Sequence, residues 1–323
     1  MTDPLRISVV IPTRNRPESL TRLLRSIEKQ TRHPDEIIVV DASDNPGMQT
    51  PPAPDIRVLR STPSVCRQRN IGIASAAGNH VLLCDDDIEL PFNYLEVIEH
   101  YISDHPDAGA VCGFLQEEVG GNKLHWTGLL WRFCFQLSVW IDVKSIPLPS
   151  LLNFVVGFYG RKGNTFSLGG WPLLTDTSSD VFRTAVYGLG GGALVRKEWL
   201  QQSPYDEILG PNGIGDNYGV AAGFPGSTPI HVVKKLTVNH HRSEVNRLAV
   251  PKAYIERVIA LHYFLTINPR FSRANRAWLI WSLVGNAIAQ IVTGRWRIAL
   301  ASIRALVILP LGLNPLIRTR STT

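Results

Sequence analysis

The sequence has little cysteine and lacks the motifs of cysteine-based sites. Its 323 residues include four cysteines, with no Cys-x-x-Cys pair and no histidine at zinc-finger spacing. This excludes a disulfide scaffold and favours buried, reduced thiols in a cytoplasmic protein, at Cys66, Cys84, Cys112 and Cys134. The first residues also lack the basic and apolar regions of a secretory signal, so we expect none.

A dinucleotide-binding fingerprint is missing as well. The first predicted strand, Ile7–Ile11, leads into Pro12-Thr13-Arg14-Asn15-Arg16, where such a fingerprint would place Gly-x-Gly-x-x-Gly. Charged residues are also few: Asp, Glu, Lys and Arg together make up 19% of the chain, while 44% of its residues are hydrophobic. This composition is typical of a globular protein and excludes a disordered chain. The length allows one large domain or two small ones.

The charge that is present is unevenly distributed. The net charge is +6, but from Arg242 onward there are 12 basic and two acidic residues, a local charge of +10. The first 241 residues carry −4. A uniformly basic protein would suggest nucleic acid, whereas a basic, apolar tail on a mildly acidic body favours an anionic membrane surface. We therefore expect no nucleic-acid partner.

Strands and helices alternate along the first 115 residues. Short apolar runs predict strands, and amphipathic spacing or a proline start predicts helices between them. The predicted strands are Ile7–Ile11, Ile37–Val40, a short edge strand at Ile56–Leu59, Val81–Cys84 and Ala110–Phe114. The predicted helices begin at Pro17, near Ser64 and after Pro91. This alternation predicts a doubly wound α/β domain with a mainly parallel sheet.

Three consecutive carboxylates, Asp85, Asp86 and Asp87, follow the fourth of these strands. Ligands of open α/β sheets bind at the carboxyl ends of strands. Packed carboxylates repel one another unless a proton or a cation intervenes, and Mg²⁺ often binds one or two carboxylates together with substrate phosphates. The triplet is therefore either a metal site for a diphosphate or a solvated acidic turn. Asp41 would accept hydrogen bonds from a base, and Arg69 would balance phosphate charge.

Four motifs lie within about 80 residues: Ser8–Arg16, Ile38–Asp41, Arg69–Gly72 and Leu83–Asp87. In order and spacing they resemble the family 2 glycosyltransferases, which have the GT-A fold, invert the anomeric centre and use nucleotide sugars. The resemblance implies that Asp41 contacts the nucleotide base, and that Asp85 and Asp87 bind the nucleotide and its Mg²⁺ or Mn²⁺. Asp87 would be the metal ligand, with Asp85 on the ribose or on the metal through water. The further donor-binding residues would be Pro12, Thr13, Arg14, Arg69 and Asp86.

The resemblance continues to about residue 245, with departures. Gly188–Gly192 resembles the family's glycine-rich turn beside the donor sugar and acceptor, and this implies roles for Gly191 and Gly192. Asp216 stands where the family has its general base, among small neighbours that leave it accessible, although Asn217 replaces the second acidic residue. Asp206 is the competing base. His240, preferred over His241, would bind the metal. Ala42 also departs from the family pattern beside Asp41, so the nucleotide stays open.

Residues 122–172 hold ten of the 27 aromatic residues. They are either a locally packed insertion or a flap that shapes the acceptor site or rests on a bilayer, where Trp is favoured. We therefore predict a catalytic domain over residues 1–245 that contains this insertion, and a helical, basic, membrane-associating tail over residues 246–323.

The tail carries one polar stripe, in which Ser282, Asn286, Gln290, Thr293 and Arg297 recur at helical spacing. The uncharged stretch Ala277–Thr293 has 17 residues, the lower limit for a membrane span. A second apolar run, Ile298–Ile317, is interrupted by Arg304 and two prolines. We predict an amphipathic pair of interfacial helices with a basic polar side. A shallow transmembrane hairpin and a soluble helical subdomain are the alternatives.

Together these features predict a metal-dependent, hexosyl-type inverting glycosyltransferase at the cytoplasmic face of the cell membrane. The donor would be a nucleoside-diphosphate sugar and the acceptor a hydroxyl of a saccharide or lipid-linked molecule, in cell-surface polysaccharide or glycolipid assembly. One alternative is a membrane-associated sugar-nucleotide binding module without turnover, which the imperfect match around Asp216 favours. The other is a metal-dependent phosphohydrolase or nucleotidyltransferase.

Overall fold

The computed structural model describes residues 4–45, 56–117, 163–174, 176–241 and 248–321. These residues divide into two units. The sheet unit comprises the described parts of residues 1–118 and 177–247, and the helical unit those of residues 119–176 and 248–323. Most of the aromatic segment, residues 122–162, lies outside the described residues, as does Cys134. The domain boundary at residue 245 stays a prediction.

The sheet unit alternates strands and helices, as predicted. Its strands are β1 Ile7–Thr13, β2 Glu36–Asp41, β3 Ile56–Arg60, β4 His80–Cys84, β5 Ile88–Glu89, β6 Ala110–Glu117, β7 Val181–Thr184, β8 Gly191–Arg196 and β9 Ile230–His240. Its helices are α1 Pro17–Glu28, α2 Val65–Ser75, α3 Tyr94–Asp104, α4 Lys197–Gln202 and α5 Asp216–Gly223. Pro17 begins α1, and the side chain of Ser64 caps α2 through the Arg67 amide at 3.3 Å.

The strands form one sheet in the order β3-β2-β1-β4-β8-β6-β9-β5, and β7 also pairs with β9. The first four strands in this order are parallel, as predicted, and β3 is the edge strand. Strand β8 runs antiparallel to both β4 and β6, so the sheet is mixed. Its buried apolar pattern is the same in either direction, so the sequence pattern does not reveal this. The antiparallel register places Cys84 beside Gly191.

The core of the sheet unit lies on both sides of β1, every residue of which is buried. On one side α1 buries Leu20, Leu23, Leu24 and Ile27, the predicted apolar stripe. On the other side α2 approaches β1 so closely that a Cβ on Gly72 would overlap with the side chain of Val10. The glycine of the Arg69–Gly72 motif is therefore a packing requirement, which brings the Arg69 end of α2 close to the carboxyl ends of the strands.

The helical unit contains α6 Val250–Ile267, α7 Arg273–Val292, α8 Trp296–Ile308 and α9 Pro315–Arg320. Among the described residues, no helix combines the length and apolar character that crossing a membrane requires. The segment 163–174 belongs to the same unit, where Phe166 packs edge-on against Phe271 with ring centroids 5.3 Å apart. The predicted helix pair thus corresponds to α7 and α8.

The prediction that the polar stripe of α7 lies on its outer side is wrong, because the stripe faces the interior. Ser282, Asn286 and Gln290 are only 1%, 4% and 5% exposed. The Ser282 hydroxyl donates to the Leu279 carbonyl oxygen at 2.7 Å and accepts from Trp171 Nε1 at 2.8 Å. Helical spacing shows that a polar stripe exists but not which side meets the interior, and here the stripe is buried, with Ser282 hydrogen-bonded inside.

Acid should weaken the helical unit through His262 of α6. Asn314 Nδ2 lies 3.1 Å from His262 Nδ1, a contact that requires an unprotonated ring nitrogen. Burial, followed by the charge of Arg276, lowers the pKa of His262 to about 4. Because this is below the unfolded value of about 6.5, its stabilising effect is complete above pH 6.5 and is lost as the pH falls towards 4.

Thermal unfolding of wild type and His262→Gln between pH 7.5 and 4 measures this effect. We expect the wild type to lose about 1–2 kcal/mol more stability over this range than the variant. The comparison with the variant is needed because burial also lowers the pKa values of His80 and His231, in the sheet unit, to about 4. Equal pH slopes for the two proteins would contradict the assignment to His262.

Candidate active site

The site lies at the carboxyl ends of β1, β2 and β4. These strands are parallel neighbours, with Thr13 opposite Asp41 and Val10 opposite Leu83. The side-chain amide of Gln68, on α2, donates to the backbone oxygens of Thr13 and Val40, both at 2.8 Å. This holds the ends of β1 and β2 together beside the turn that carries the three aspartates. The sequence motifs gave no role to Gln68.

Asp86 points into the protein. It is 3% exposed, Thr13 Oγ1 donates to its Oδ2 at 2.7 Å, and Arg16 Nη1 donates to its Oδ1 at 3.0 Å. Burial raises the pKa of the Asp86 carboxyl to about 6, although Arg16 and Thr13 favour the charged form. Asp86 therefore ties the aspartate turn to the segment after β1. Its predicted contact with a donor stays a prediction.

Asp87 lies beside the end of β9. Its Oδ1 is 3.2 Å from His240 Nε2, and its Oδ2 is 3.6 Å from Arg16 Nη1. The neighbouring histidine is directed elsewhere, because His241 Nε2 lies 2.9 Å from Glu89 Oε2. The pairing of β5 with β9 puts Ile88 opposite His240 and thereby fixes this alternation. The structure therefore brings the side chain of His240 to the Asp87 carboxylate, whereas the backbone amide of His241 donates to the Asp87 carbonyl oxygen at 2.8 Å.

A divalent cation fits between Asp87 and His240. Two ligands on adjacent corners of an octahedron with bonds of about 2.1 Å are about 3 Å apart, close to the observed separation of 3.2 Å. No group of three or more His, Cys, Asp or Glu residues in the described part of the chain is arranged to hold an ion. A cation bound here would take its other ligands from water and from diphosphate oxygens, as Mg²⁺ commonly does.

Arg69 joins the aspartate turn to α5. It is 3% exposed, its Nη2 donates to Asp85 Oδ1 at 2.6 Å, and its Nη1 pairs with Asp216 Oδ2. The ring of Tyr205 lies against the guanidinium, 4.9 Å from ring centroid to Cζ. Burial alone would lower the pKa of Arg69, but the carboxylates of Asp216 and Asp85 raise it well above the usual value. One buried cation thus serves two carboxylates.

Asp216 is the first residue of α5, and Gly215 before it has φ of 99°, which a glycine adopts without strain. Its Oδ1 accepts from the Asn217 amide at 2.5 Å, and its Oδ2 pairs with Arg69. The prediction that the Asp216 carboxylate is accessible is wrong, since Asp216 is only 9% exposed. Burial also raises the pKa of Asp216, and Arg69 offsets part of this rise.

The glycine-rich turn presses against Asp85. The Asp85 amide donates to the Gly190 oxygen at 2.6 Å, and a Cβ on Gly190 would collide with the Asp85 carboxylate. The predicted Gly191 and Gly192 face other groups. Gly191 packs against Leu115, and the Gly192 oxygen accepts from the Tyr94 hydroxyl at 2.7 Å. Gly190 was missed because a run of glycines does not show which one meets a side chain.

Asp41 is buried at the end of β2. The Ser43 amide donates to its Oδ1 at 2.7 Å, and Arg60 pairs with its Oδ2. The parallel register of β2 and β3 places Asp41 opposite Arg60, a partner that no sequence motif indicated. Nearby, Arg14 Nη2 lies 3.1 Å from Asp44 Oδ1. Pro12 is buried within β1 itself.

The mixed sheet has the GT-A fold of glycosyltransferases, as similarity to solved structures shows. Residues 8–147 match the family described as Glycosyl transferase family 2. The family recognised from the motifs is therefore confirmed. The chain is also 41% identical over 88 residues to "Uncharacterized glycosyltransferase YwdF" of Bacillus subtilis (strain 168), which is 26% of this chain and 33% of that protein. It thus spans about a third of that relative.

Two solved structures show the shared fold. TarS 1–349 of S. aureus has a TM-score of 0.51 at 14% identity, over 95% of this chain and 92% of that one. GalNAc-T7, solved with UDP, GalNAc and Mn²⁺, also has a TM-score of 0.51, at 16% identity, over 91% of this chain and 58% of that one. TarS 1–349 in complex with UDP has a TM-score of 0.50 at 17% identity, over 86% of this chain and 71% of that one.

Removing the buried guanidinium of Arg69 should lower the free energy of unfolding. In Arg69→Met, the carboxylates of Asp85 and Asp216 would lose their shared partner, so we expect about 3–5 kcal/mol lower stability in urea unfolding at pH 7.5. Arg14→Met is the matched control, because Arg14 and Asp44 are 35% and 61% exposed and such pairs contribute at most about 1 kcal/mol. Similar losses for the two variants would show that Arg69 is not the central ion partner.

Proposed function

We propose that the protein is a metal-dependent, inverting glycosyltransferase that moves a hexosyl group from a nucleoside-diphosphate sugar to a hydroxyl acceptor. The observation that carries this is the joint placement of the Asp87–His240 pair and the Asp85–Arg69–Asp216 ion pairs in one GT-A unit. Complexes of fold relatives support the donor class, since TarS was solved with UDP and GalNAc-T7 with UDP, GalNAc and Mn²⁺.

The donor would lie across the ends of β1, β2 and β4. Asp41 would accept hydrogen bonds from the base, and the segment Pro12–Arg14 would line the nucleotide site beside it. Asp85 would reach the ribose, or the metal through water. Mg²⁺ or Mn²⁺ held by Asp87 and His240 would supply positive charge to the leaving diphosphate. Gly190 to Gly192 would leave room beside Asp85 for the sugar.

Asp216 would accept the proton of the acceptor hydroxyl. Its raised pKa makes it a better proton acceptor than an exposed aspartate, and Arg69 favours the ionised form that the step requires. The hydroxyl oxygen would attack the anomeric carbon from the face opposite the diphosphate, and the bond to the diphosphate would break. One displacement inverts the anomeric centre, by the same stereochemical logic that applies to inverting glycosidases.

The helical unit would place this chemistry at the cytoplasmic face of the cell membrane. Its basic charge supports an anionic surface as partner. A saccharide or lipid-linked acceptor, used in cell-surface polysaccharide or glycolipid assembly, is consistent with such a location.

A second candidate is a sugar-nucleotide binding module without turnover. The burial of Asp216 favours it, because Arg69 and the Asn217 amide already occupy its two oxygens. In this case the donor would bind and no acceptor would react.

Donor binding should depend on Asp87 and on a divalent cation. In calorimetric titrations of UDP with Mn²⁺, we expect Asp87→Ala or a chelator to weaken binding at least about tenfold, as loss of groups that bind a metal or orient its ligands commonly does. Asp107→Ala, which removes an exposed carboxylate 3.8 Å from Arg183 and outside the site, should bind as wild type does. Wild-type affinity in the chelator would refute the metal role.

Turnover should depend on Asp216. Asp216→Asn keeps the shape and removes the basic group, so we expect transfer to fall about 10²–10⁴-fold while UDP affinity stays nearly unchanged. Donor consumption over a panel of acceptors measures this. Asp206→Asn, the competing position, should change transfer far less. Near wild-type transfer by Asp216→Asn would reject the assigned base, and donor binding without transfer by the wild type would favour the second candidate.

A further inference from the structure

The outer surfaces of α7 and α8 are apolar. Of the sixteen exposed large hydrophobic residues in the described part of the chain, eleven lie between Trp281 and Leu313. On α7, Val284, Ile288 and Ile291 are separated by four and three positions. On α8, Trp296, Leu300, Ile303 and Val307 are separated by four, three and four. Each set therefore occupies one face of its helix.

The inner surfaces of the same helices carry several polar side chains among apolar ones such as Leu279, Leu283 and Ala299. Besides Ser282, Asn286 and Gln290, Ser302 of α8 is fully buried. The Ser302 hydroxyl lies 2.9 Å from the Tyr254 hydroxyl of α6, a hydrogen bond within the unit. A water-exposed helix places its apolar stripe towards the core and its polar face towards solvent. Helices α7 and α8 instead bury several polar side chains and expose a row of large apolar ones, which suits an apolar environment outside them.

The charges beside this surface identify its partner. No acidic residue follows Glu256 in the sequence, whereas nine arginines lie from Arg257 onward. Arg297 and Arg304 are exposed on α8 between its apolar residues. Exposed apolar side chains interleaved with cations, and without acidic residues beside them, match the acyl boundary and anionic headgroups of a bilayer.

We propose that the outer face of α7 and α8, defined by the seven apolar residues above with Arg297 and Arg304, inserts into the headgroup and acyl boundary of an anionic membrane. The apolar side chains enter the acyl region, and the two arginines bind lipid phosphates. This inference rests on the membrane association proposed above and names its surface. It replaces the buried polar stripe as the lipid-binding element.

Flotation of the full-length chain with vesicles tests the apolar part of the proposal. We expect the wild type to float with phosphatidylcholine vesicles containing phosphatidylglycerol. Leu300→Gln combined with Val307→Gln should lower vesicle affinity by roughly tenfold or more, because both side chains lose apolar burial. Phe92→Gln, in the sheet unit, is the matched control, since Phe92 is 65% and Leu300 64% exposed. This control should float as wild type does.

A second variant tests the charged part and does not alter the apolar face. Arg297→Gln with Arg304→Gln should weaken binding to phosphatidylglycerol vesicles by roughly fivefold per arginine. Both proteins should bind pure phosphatidylcholine vesicles less tightly than anionic ones, and on these uncharged vesicles the variant and the wild type should have equal affinity. Sedimentation velocity without vesicles tests a different occupant: a dimer that Leu300→Gln with Val307→Gln dissociates would assign the face to a second copy of the chain and overturn the proposal.

Two further outcomes would overturn it. Wild-type protein that stays in the aqueous phase with anionic vesicles would do so, as would equal flotation of wild type and both double variants. UDP titration of the same samples keeps the two proposals separate. Intact UDP binding without flotation rejects only the membrane surface, and flotation without UDP binding rejects only the transferase.

Discussion

The sheet unit depends on the neutralisation of the carboxylates that follow β4. Three consecutive aspartates would repel one another, and each is paired with a different side chain: Asp85 with Arg69, Asp86 with Arg16, and Asp87 with His240. These partners come from α2, from the segment after β1 and from the end of β9. The ion pairs therefore bring the ends of three separate elements to one place, and an uncompensated buried carboxylate would be the cost of moving any of them.

Arg69 extends this arrangement to α5. Because the same guanidinium pairs with Asp85 and Asp216, the position of the proposed base is linked to that of the proposed donor site. Gly72 lets α2 lie close enough to β1 for this contact, and Gly190 leaves space beside the Asp85 carboxylate. Small residues and one buried cation thus fix the geometry, while the carboxylates supply the chemistry.

The helical unit is packed differently from the sheet unit. Several of its serine, asparagine and glutamine side chains are buried, as in the Trp171–Ser282 hydrogen bond, while a row of large apolar side chains on α7 and α8 is exposed. These exposed side chains suit an apolar environment outside the unit. The two units therefore follow different packing rules, which matches the change from acidic to basic composition along the sequence.

The sequence by itself determined most elements of the first 115 residues and the residues proposed for the site. Strands β1 to β4 and β6, the apolar stripe of α1 and the aspartate turn follow from local patterns, and His240 is proposed from the family resemblance. Only the tertiary structure decided the direction of β8, the pairing of Arg60 with Asp41, the contact of Gly190 with Asp85 and the burial of Asp216. It also decided that the polar stripe of α7 faces inward. The physical reason is common to all of these. Local spacing sets the shape of a segment, whereas the partner of a charge, or of a helix face, is set by residues distant in sequence.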